Sequence, residues 1–302
     1  MQLYEFKAKR YPVLSGFEAS RILETGREKS LMRINLSLGK YPDLEAEILD
    51  GHLKFKWRYP ELGEVKIELD LEVLHEISRR EFRVYAILPD GDLFHLAHYA
   101  EGHFYQIIAV HPKASPTIEI NGIRMHRTKD IVPFKDAKLK VLTLKIKPGM
   151  KVLDICTGLG YTAILESMFG SDVITVEKDT NVLKLAEYNP WSEELEGLRI
   201  VNEDALDVIE DFDNEMFDRV LNDPPRFSIA GDLYSLDFFR EINRILKPGG
   251  IFFQYTGSPE EKYRGKSIVK GIGERLRNAG FIIRFDKKVG GYICLKPRRR
   301  FS

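Results

Sequence analysis

Residues 151–160 read Lys-Val-Leu-Asp-Ile-Cys-Thr-Gly-Leu-Gly. Val152, Leu153 and Ile155 form a short apolar run that carries an acidic residue, Asp154. A loop with two glycines follows, and Tyr161-Thr-Ala-Ile-Leu-Glu-Ser-Met-Phe169 continues at helical spacing. Strand, glycine loop and helix in that order open a βαβ unit of the dinucleotide-binding kind. Glycine lets the backbone approach a ligand that a Cβ would hold off. One Gly-x-Gly is a weak signal, so the segments around it decide the fold.

Working outward, Val173-Ile-Thr-Val176 is a second apolar strand, and it ends at Glu177, seventeen residues beyond Gly160. A carboxylate there can accept both ribose hydroxyls of a nucleoside. Leu198-Arg-Ile-Val-Asn202 leads to Glu203-Asp204-Ala205, and Phe217-Asp-Arg-Val-Leu-Asn222 leads to Asp223-Pro-Pro-Arg226. Leu246-Lys-Pro-Gly-Gly250 precedes Ile251-Phe-Phe-Gln-Tyr255. Strands are expected at about 151–156, 172–177, 198–202, 217–222 and 251–256, with helices at about 160–169, 179–188, 204–211, 233–246 and 262–279. Such alternation means a parallel sheet covered on both faces. Phe281-Ile-Ile-Arg-Phe-Asp286 and Tyr292-Ile-Cys-Leu295, joined through Gly290-Gly291, read as a terminal hairpin.

This ordered series, over roughly residues 130–302, resembles the class I S-adenosylmethionine-dependent methyltransferases. The resemblance implies an α/β fold with a Rossmann-like, mostly parallel sheet whose last strand is antiparallel, which separates it from an NAD-binding domain. It implies S-adenosylmethionine as cofactor. Asp154, Gly158 and Gly160 match the family's first motif, and Cys156 stands where the family usually has glycine. Cys156 reads as a small buried hydrophobe in preference to a reactive thiol. Glu177 matches the ribose position and Asp204 the adenine position, although Asn202-Glu-Asp204 also reads as a helix N-cap. The implied cofactor-binding set is Asp154, Cys156, Thr157, Gly158, Gly160, Tyr161, Glu177, Lys178, Asp204, Ala205 and Asn222.

Asp223-Pro224-Pro225-Arg226 falls at the carboxyl end of the fourth strand, where open α/β sheets place their ligands. It resembles the Asp/Asn-Pro-Pro-aromatic loop of methyltransferases that modify amino groups. An exocyclic base amine has a delocalised lone pair and is a poor nucleophile. A carboxylate and a backbone carbonyl can hold its N–H groups and aim the lone pair at the sulfonium methyl. Two prolines stiffen the loop that carries those acceptors. Asp223, Pro224, Pro225 and Arg226 are therefore the expected catalytic set, with Asp223 as the acceptor. Arg226 departs from the family's Tyr or Phe, but a guanidinium also stacks on a base or pairs with phosphate.

A second resemblance competes. Leu233-Tyr-Ser235, Phe238-Phe239 and Leu246-Lys-Pro-Gly-Gly250 are similar to the spermidine synthase group of aminopropyltransferases. Those enzymes generally carry an acid in the first glycine loop, and Leu159-Gly-Tyr-Thr162 has none. Methyl transfer ranks above polyamine synthesis on that ground. Trp191, after Asn189-Pro190, flanks either the adenine pocket or the core edge. His95, His98 and His103 do not share one strand face, and no closed Cys/His/Asp/Glu pattern accompanies them, so no metal is expected. Lys296-Pro-Arg-Arg-Arg300 is a basic tail, solvated or touching phosphate.

The first part of the chain reads differently. All seven histidines lie at or before His126, which supports a boundary near residues 127–132. Leu53–Tyr59 and Val65–Leu71 alternate apolar and polar, Phe82–Leu88 and Leu93–Leu96 flank the turn Pro89-Asp-Gly-Asp92, and Phe104–Val110 is a further strand. Residues 1–127 are expected to form a mostly β domain with a helix near 16–25, and 128–302 the cofactor domain, entered by a helix over 135–145. Lys54, Lys56, Trp57, Arg58 and Tyr59 could offer charge and stacking to RNA. The 302 residues are 43% hydrophobic and 30% charged with formal net charge +0, which excludes a disordered chain and a polycationic nucleic-acid binder. The charged content leans toward a heat-adapted source. Two cysteines, a polar start (Met1-Gln-Leu-Tyr-Glu-Phe-Lys) and no long apolar run point to a reducing cytoplasm.

The expectation is thus a two-domain cytoplasmic methyltransferase resembling archaeal predicted methyltransferases of this length. Its expected acceptor is an exocyclic amine on RNA, with tRNA guanine N2 as the sharpest form. The N-terminal domain would recognise that large substrate. A small-molecule enzyme and a catalytically silent cofactor-binding subunit are the rivals.

Overall fold

Apolar, β-branched runs separated by glycine turns leave the chain no way to bury itself except as a covered sheet. The computed structural model describes residues 1–225, 230–257 and 264–298. Its large sheet has eight strands: β1 (Leu3–Tyr4), β2 (Lys151–Ile155), β3 (Asp172–Val176), β4 (Arg199–Val201), β5 (Phe217–Asn222), β6 (Leu246–Tyr255), β7 (Ile282–Asp286) and β8 (Gly291–Leu295). Their order is β1-β4-β3-β2-β5-β6-β8-β7. Strands β2 to β6 pair in parallel, and β8 runs antiparallel to both β6 and β7. The Rossmann-like sheet with an antiparallel last strand is therefore present. Helices Tyr161–Met168, Leu236–Ile245 and Arg264–Asn278 alternate with the strands. The core includes Leu153, Ile155, Val220, Phe239, Phe252 and Leu276, all buried.

Two details differ from expectation. β6 begins at Leu246 rather than near 251, and its pairing with β5 shifts register between Phe217 and Arg219. A bulge there accommodates Pro248, which has no N–H to give a ladder. The short β1 was not foreseen: Leu3 pairs with Val201 and Tyr4 with Ile200, antiparallel.

The chain divides into two compact units. One holds Met1–Glu5, Asp136–Thr180 and Gly197–Ser302; the other holds Phe6–Lys135 and Asn181–Glu196. A single boundary near 127 is thus replaced by a chain that crosses between units four times. The segment 181–196 belongs with the second unit because its side chains bond there. Trp191 Nε1 donates to Leu38 O at 3.0 Å, and Lys9 N donates to Glu187 O at 2.8 Å.

The second unit is mostly β, as expected. Leu31–Ile34, Leu44–Leu49, His52–Tyr59 and Gly63–Asp70 form an antiparallel meander. Val13–Ser15, Val84–Ile87 and Leu93–His95 form a second sheet, and four strands between Ala97 and Arg124 a third. The expected helix is Gly16–Gly26, capped by Ser15, which accepts from Glu18 N at 3.3 Å. A further helix, Leu71–Ser78, begins where the alternating run ends and was not foreseen; Asp70 caps it by accepting from Glu72 N at 2.7 Å.

Candidate functional site

The carboxyl ends of β2, β3 and β5 lie side by side, and the sequence-selected residues collect there. After Ile155 the backbone turns sharply, with φ of +70° at Cys156, +54° at Gly158 and +78° at Gly160. Cys156 N and Thr157 N both donate to Val176 O, at 2.9 and 3.1 Å, and Gly160 N closes the turn on Thr157 O at 2.7 Å. The left-handed conformation at Cys156 is the physical reason a glycine suits this place; a side chain there costs on the order of 1 kcal/mol. The Cys156 sulfur packs against the core. Burial, reinforced by the negative charges of Glu177, Asp223 and Asp154, pushes its thiol well above the usual range. That environment makes an inert thiol. A Cβ built on Gly158 would meet nothing nearer than Cys156 O at 4.0 Å. The loop therefore leaves room beside its backbone. Tyr161 starts the following helix and is buried.

Asp154 is fully buried beneath this loop. Its Oδ2 accepts from Thr175 Oγ1 at 2.7 Å, and Thr175 Oγ1 lies 2.6 Å from Thr157 Oγ1. Burial is the main cause that raises the Asp154 carboxyl, to about 7. Asp154 thus ties strand to loop from inside rather than presenting an oxygen at the loop's outer face.

Glu177 stands at the end of β3, half-buried. Its Oε2 accepts from Gly158 N at 2.9 Å and its Oε1 from Asp179 N at 3.0 Å. Burial raises its carboxyl, and the two amides oppose that shift. Each oxygen keeps a further lone pair for a hydroxyl. Asp204 does serve as an N-cap, accepting from Leu206 N at 3.0 Å through Oδ1, while Oδ2 lies 3.5 Å from Lys178 Nζ. Lys178 is exposed and Ala205 buried. At the end of β5, Asn222 Nδ2 donates to Gln254 Oε1 at 2.9 Å and to Leu233 O at 3.2 Å. Its buried Oδ1 has no hydrogen-bond partner among the described residues.

The Pro-Pro loop follows directly. Asp223 N donates to Ile155 O at 3.3 Å, which ties the loop to the strand before the glycines. Pro225 O accepts from Tyr234 OH at 3.0 Å. Pro224 and Pro225 therefore sit on a backbone fixed at both ends. Arg226 lies outside the described residues. Asp223 Oδ2 is 2.6 Å from the Nζ of Lys140, a residue no sequence argument singled out. Lys140 belongs to the helix Pro133–Thr143. A signal for it existed: Ala137, Lys140, Val141 and Leu144 follow the i, i+3, i+4, i+7 spacing of a buried stripe, and all four are buried. A lysine on such a stripe requires a buried partner.

Other candidates do not join this site. His98 stacks on Tyr105, His95 lies on Tyr85, and His103 Nδ1 pairs with Asn121 Nδ2 at 2.8 Å. Among the described residues, no group of three or more His, Cys, Asp or Glu could hold a metal. Trp191 rests on Phe134 and under Lys40, in the second unit. The basic strand His52–Tyr59 is neutralised by its neighbour: Lys54 pairs with Glu68 at 3.3 Å and Lys56 with Glu64 at 3.1 Å. Tyr59 is buried, and Trp57 Nε1 donates to Arg10 O at 2.9 Å. The two lysines and the two aromatic rings of that strand are thus engaged by neighbouring residues, while Arg58 is exposed. No described helix is long and apolar enough to cross a membrane.

An adenosyl cofactor fits these residues. The loop has room at Gly158, Glu177 offers lone pairs within reach of it, and Asn222 Oδ1 awaits a donor. The comparisons agree. A family model described as "Methyltransferase domain" matches residues 153–254. The uncharacterized protein MJ1233 of Methanocaldococcus jannaschii is 46% identical over 283 residues, covering 93% of this chain and 94% of that one. A ribosomal protein L11 methyltransferase of Listeria monocytogenes serotype 4a is 27% identical over 168 residues, 55% of this chain and 49% of that enzyme. This chain thus matches only about half of that enzyme's length. Spermidine synthase from Thermotoga maritima superposes with a TM-score of 0.52 at 18% identity, over 67% of this chain and 72% of that one. At that identity the likeness concerns the fold alone.

Proposed function

The chain belongs to the class I S-adenosylmethionine-dependent methyltransferases, and from that premise we propose that it methylates an exocyclic amine of a nucleic-acid base, in its sharpest form guanine N2 of tRNA. The observation that carries this reading is the placement of Asp223 on a stiff Pro-Pro backbone beside the glycine loop. The cofactor supplies an electrophilic methyl group on a sulfonium. In this reading Glu177 holds the ribose, Asp204 and Ala205 border the adenine, and Gly158, Gly160 and Thr157 form the loop around the tail. Asp223 accepts an N–H of the amine and orients its lone pair. The carbonyl of Pro224 is suited to accept the second N–H. The amine proton becomes acidic only as its nitrogen is alkylated, and Asp223 is positioned to accept it then. In this reading residues 1–127 recognise the large acceptor.

The test uses labelled S-adenosylmethionine and bulk RNA from a knockout strain of the source organism, followed by nucleoside analysis. The expected product is a methylated guanosine, absent from knockout RNA and restored by the protein. Asp223→Ala should lower transfer by about two orders of magnitude, the scale for one preorganised polar group, with cofactor affinity nearly unchanged. Transfer to small metabolites with none to RNA would replace this reading with a small-molecule enzyme. Cofactor binding with no transfer to any extract would make the chain a silent subunit. Tighter binding of decarboxylated S-adenosylmethionine would favour aminopropyl transfer.

A further inference from the structure

Lys140 is the most unusual charged group near the Pro-Pro loop. Its side chain is 4% exposed. Its Nζ lies 2.6 Å from Asp223 Oδ2 and 2.9 Å from Asp136 Oδ2, one helical turn before it. The ring of Tyr255, at the end of β6, stands over the same nitrogen with its centroid 4.0 Å away. Burial works against the charge, but the attraction of Asp223 and then of Asp136 outweighs it, so the ammonium is held above the ordinary lysine range. Two carboxylates and an aromatic face make a seat for an alkylammonium ion. The protein fills that seat with its own side chain.

A buried ion pair is weak evidence of a stabilising role, because apolar groups of similar volume often serve stability as well. Here one member of the pair is the carboxylate at the transfer loop. Asp223 retains 19% of its side-chain exposure, against 4% for Lys140. Solvent or a ligand therefore reaches the seat from the Asp223 side.

We propose that Lys140 is the positioning and specificity residue of the transfer site: its ammonium occupies the cation seat of Asp136, Asp223 and Tyr255, so that Asp223 is fixed and open only to neutral N–H acceptors. The inference rests on the reading of Asp223 as the group that meets the acceptor. An aliphatic amine is a cation at neutral pH and would have to displace a tethered ammonium of the same chemistry, which is present at high effective concentration. An exocyclic base amine is uncharged and needs only an oxygen lone pair of Asp223. The seat therefore selects against polyamine-like acceptors and for base-like ones.

Lys140→Ala removes the Cγ, Cδ, Cε and Nζ atoms, which together are n-propylammonium. Calorimetric titration of wild type and Lys140→Ala with n-propylammonium chloride, against sodium chloride and tetramethylammonium chloride at equal ionic strength, tests the seat directly. The variant should bind n-propylammonium at least about tenfold more tightly than wild type, as expected for regained charge-assisted hydrogen bonds, and should ignore tetramethylammonium. In the RNA assay the variant should lose transfer and regain it with n-propylammonium, while Lys140→Arg keeps a measurable part. Equal binding by the two proteins, or binding without discrimination between the two ammonium ions, overturns the proposal. If Lys140→Ala is insoluble, refolding from denaturant asks the same question. Recovery that requires n-propylammonium supports the seat; equal recovery without it, or none with it, counts against it. The two readings fail separately. Wild type that methylates no RNA removes the proposed acceptor but leaves the titration standing. Wild type that methylates RNA, with a variant that is neither bound nor rescued, removes only the role of Lys140.

Discussion

Asp154, Cys156 and Glu177 show how far single residues can be read from spacing alone. Their places in the strand-loop-helix pattern were legible, but their surroundings were not. Nothing in the order of residues reveals that Asp154 faces inward to Thr175, or that Cys156 takes a φ of +70°. Each yields a prediction. The Asp154 carboxyl is raised from its unfolded value of 3.8 to about 7, chiefly by burial. A raised carboxyl favours the protonated fold, so its contribution is complete below pH 3.8 and is lost as pH climbs through about 7. A difference of that size corresponds to roughly 4 kcal/mol. Urea melts of wild type and Asp154→Asn should therefore diverge between pH 4 and 8, with wild type losing stability relative to the variant. Parallel curves would sink this account of Asp154. At position 156, Cys156→Gly should be neutral or stabilising by up to about 1 kcal/mol, because glycine adopts positive φ freely. Cys156→Val should cost more than that by the same measurement. Glu177→Ala should weaken S-adenosylmethionine by about 1.5–3 kcal/mol, the range for hydrogen bonds to a charged group. Calorimetry on the folded variant reads this directly, and unchanged affinity would mean that the ribose sits elsewhere. Lys140 was missed for the opposite reason: its partner Asp223 lies 83 residues away. Such a contact exists only once the sheet is assembled, although the buried stripe on its helix gave half of the signal.

At the scale of elements, the long periodic segments were legible and the short ones were not. Four of the five strands and their helices fell within a few residues of expectation, because each carries enough apolar repeats to specify a period, while β6 starts early at Leu246. The helix Leu71–Ser78 was hidden by the alternating run before it, and its Asp70 cap was the overlooked cue. β1 could not have been read, since two residues carry no period and its partner strand lies nearly two hundred positions on. Its function in the sheet is nevertheless physical. It covers the edge of β4, where Asn202 N donates to Gln2 O at 2.9 Å and Leu3 and Tyr4 pair with Val201 and Ile200. An uncovered edge leaves backbone groups unpaired. Deleting residues 1–5 should cost about 2–3 kcal/mol, on the scale of a few net hydrogen bonds. It should also raise amide exchange at Ile200, Val201 and Asn202 far more than at Val152 or Leu153. Exchange that stays unchanged at those three positions would show that the edge is protected without β1.

At the scale of the whole molecule, the alternation of apolar and polar residues showed a β-rich first part and an α/β second part, but sequence order suggested a single cut. The chain instead returns, and residues 181–196 belong with the unit formed by 6–135. The reason is local. Pro190 and Leu195 are buried, Trp191 bonds to Leu38 O, and Tyr41 OH donates to Glu193 Oε2 at 2.7 Å. Lys40 pairs with Glu194 at 2.6 Å. A fragment beginning at Thr128 looks from the sequence like an intact cofactor domain. It would in fact keep 181–196 without the side chains that cover it, and would lose β1 as well. We expect this fragment to melt at least several degrees below the intact protein, since exposing a buried Leu and a stacked Trp alone costs about 2–4 kcal/mol. Cofactor affinity should fall with it, because the helix Thr180–Ala186 begins three residues after Glu177. The fragment carries its own reporter, because Trp191 is its only tryptophan, Trp57 having been removed. Its fluorescence should shift to the red as the indole meets water, while a longer chain beginning at Phe6 should keep the native emission. A Thr128 fragment that binds S-adenosylmethionine as tightly as the intact protein, with unshifted Trp191 emission, would show that 181–196 does not depend on the earlier residues and that the cut suggested by sequence order is the true one.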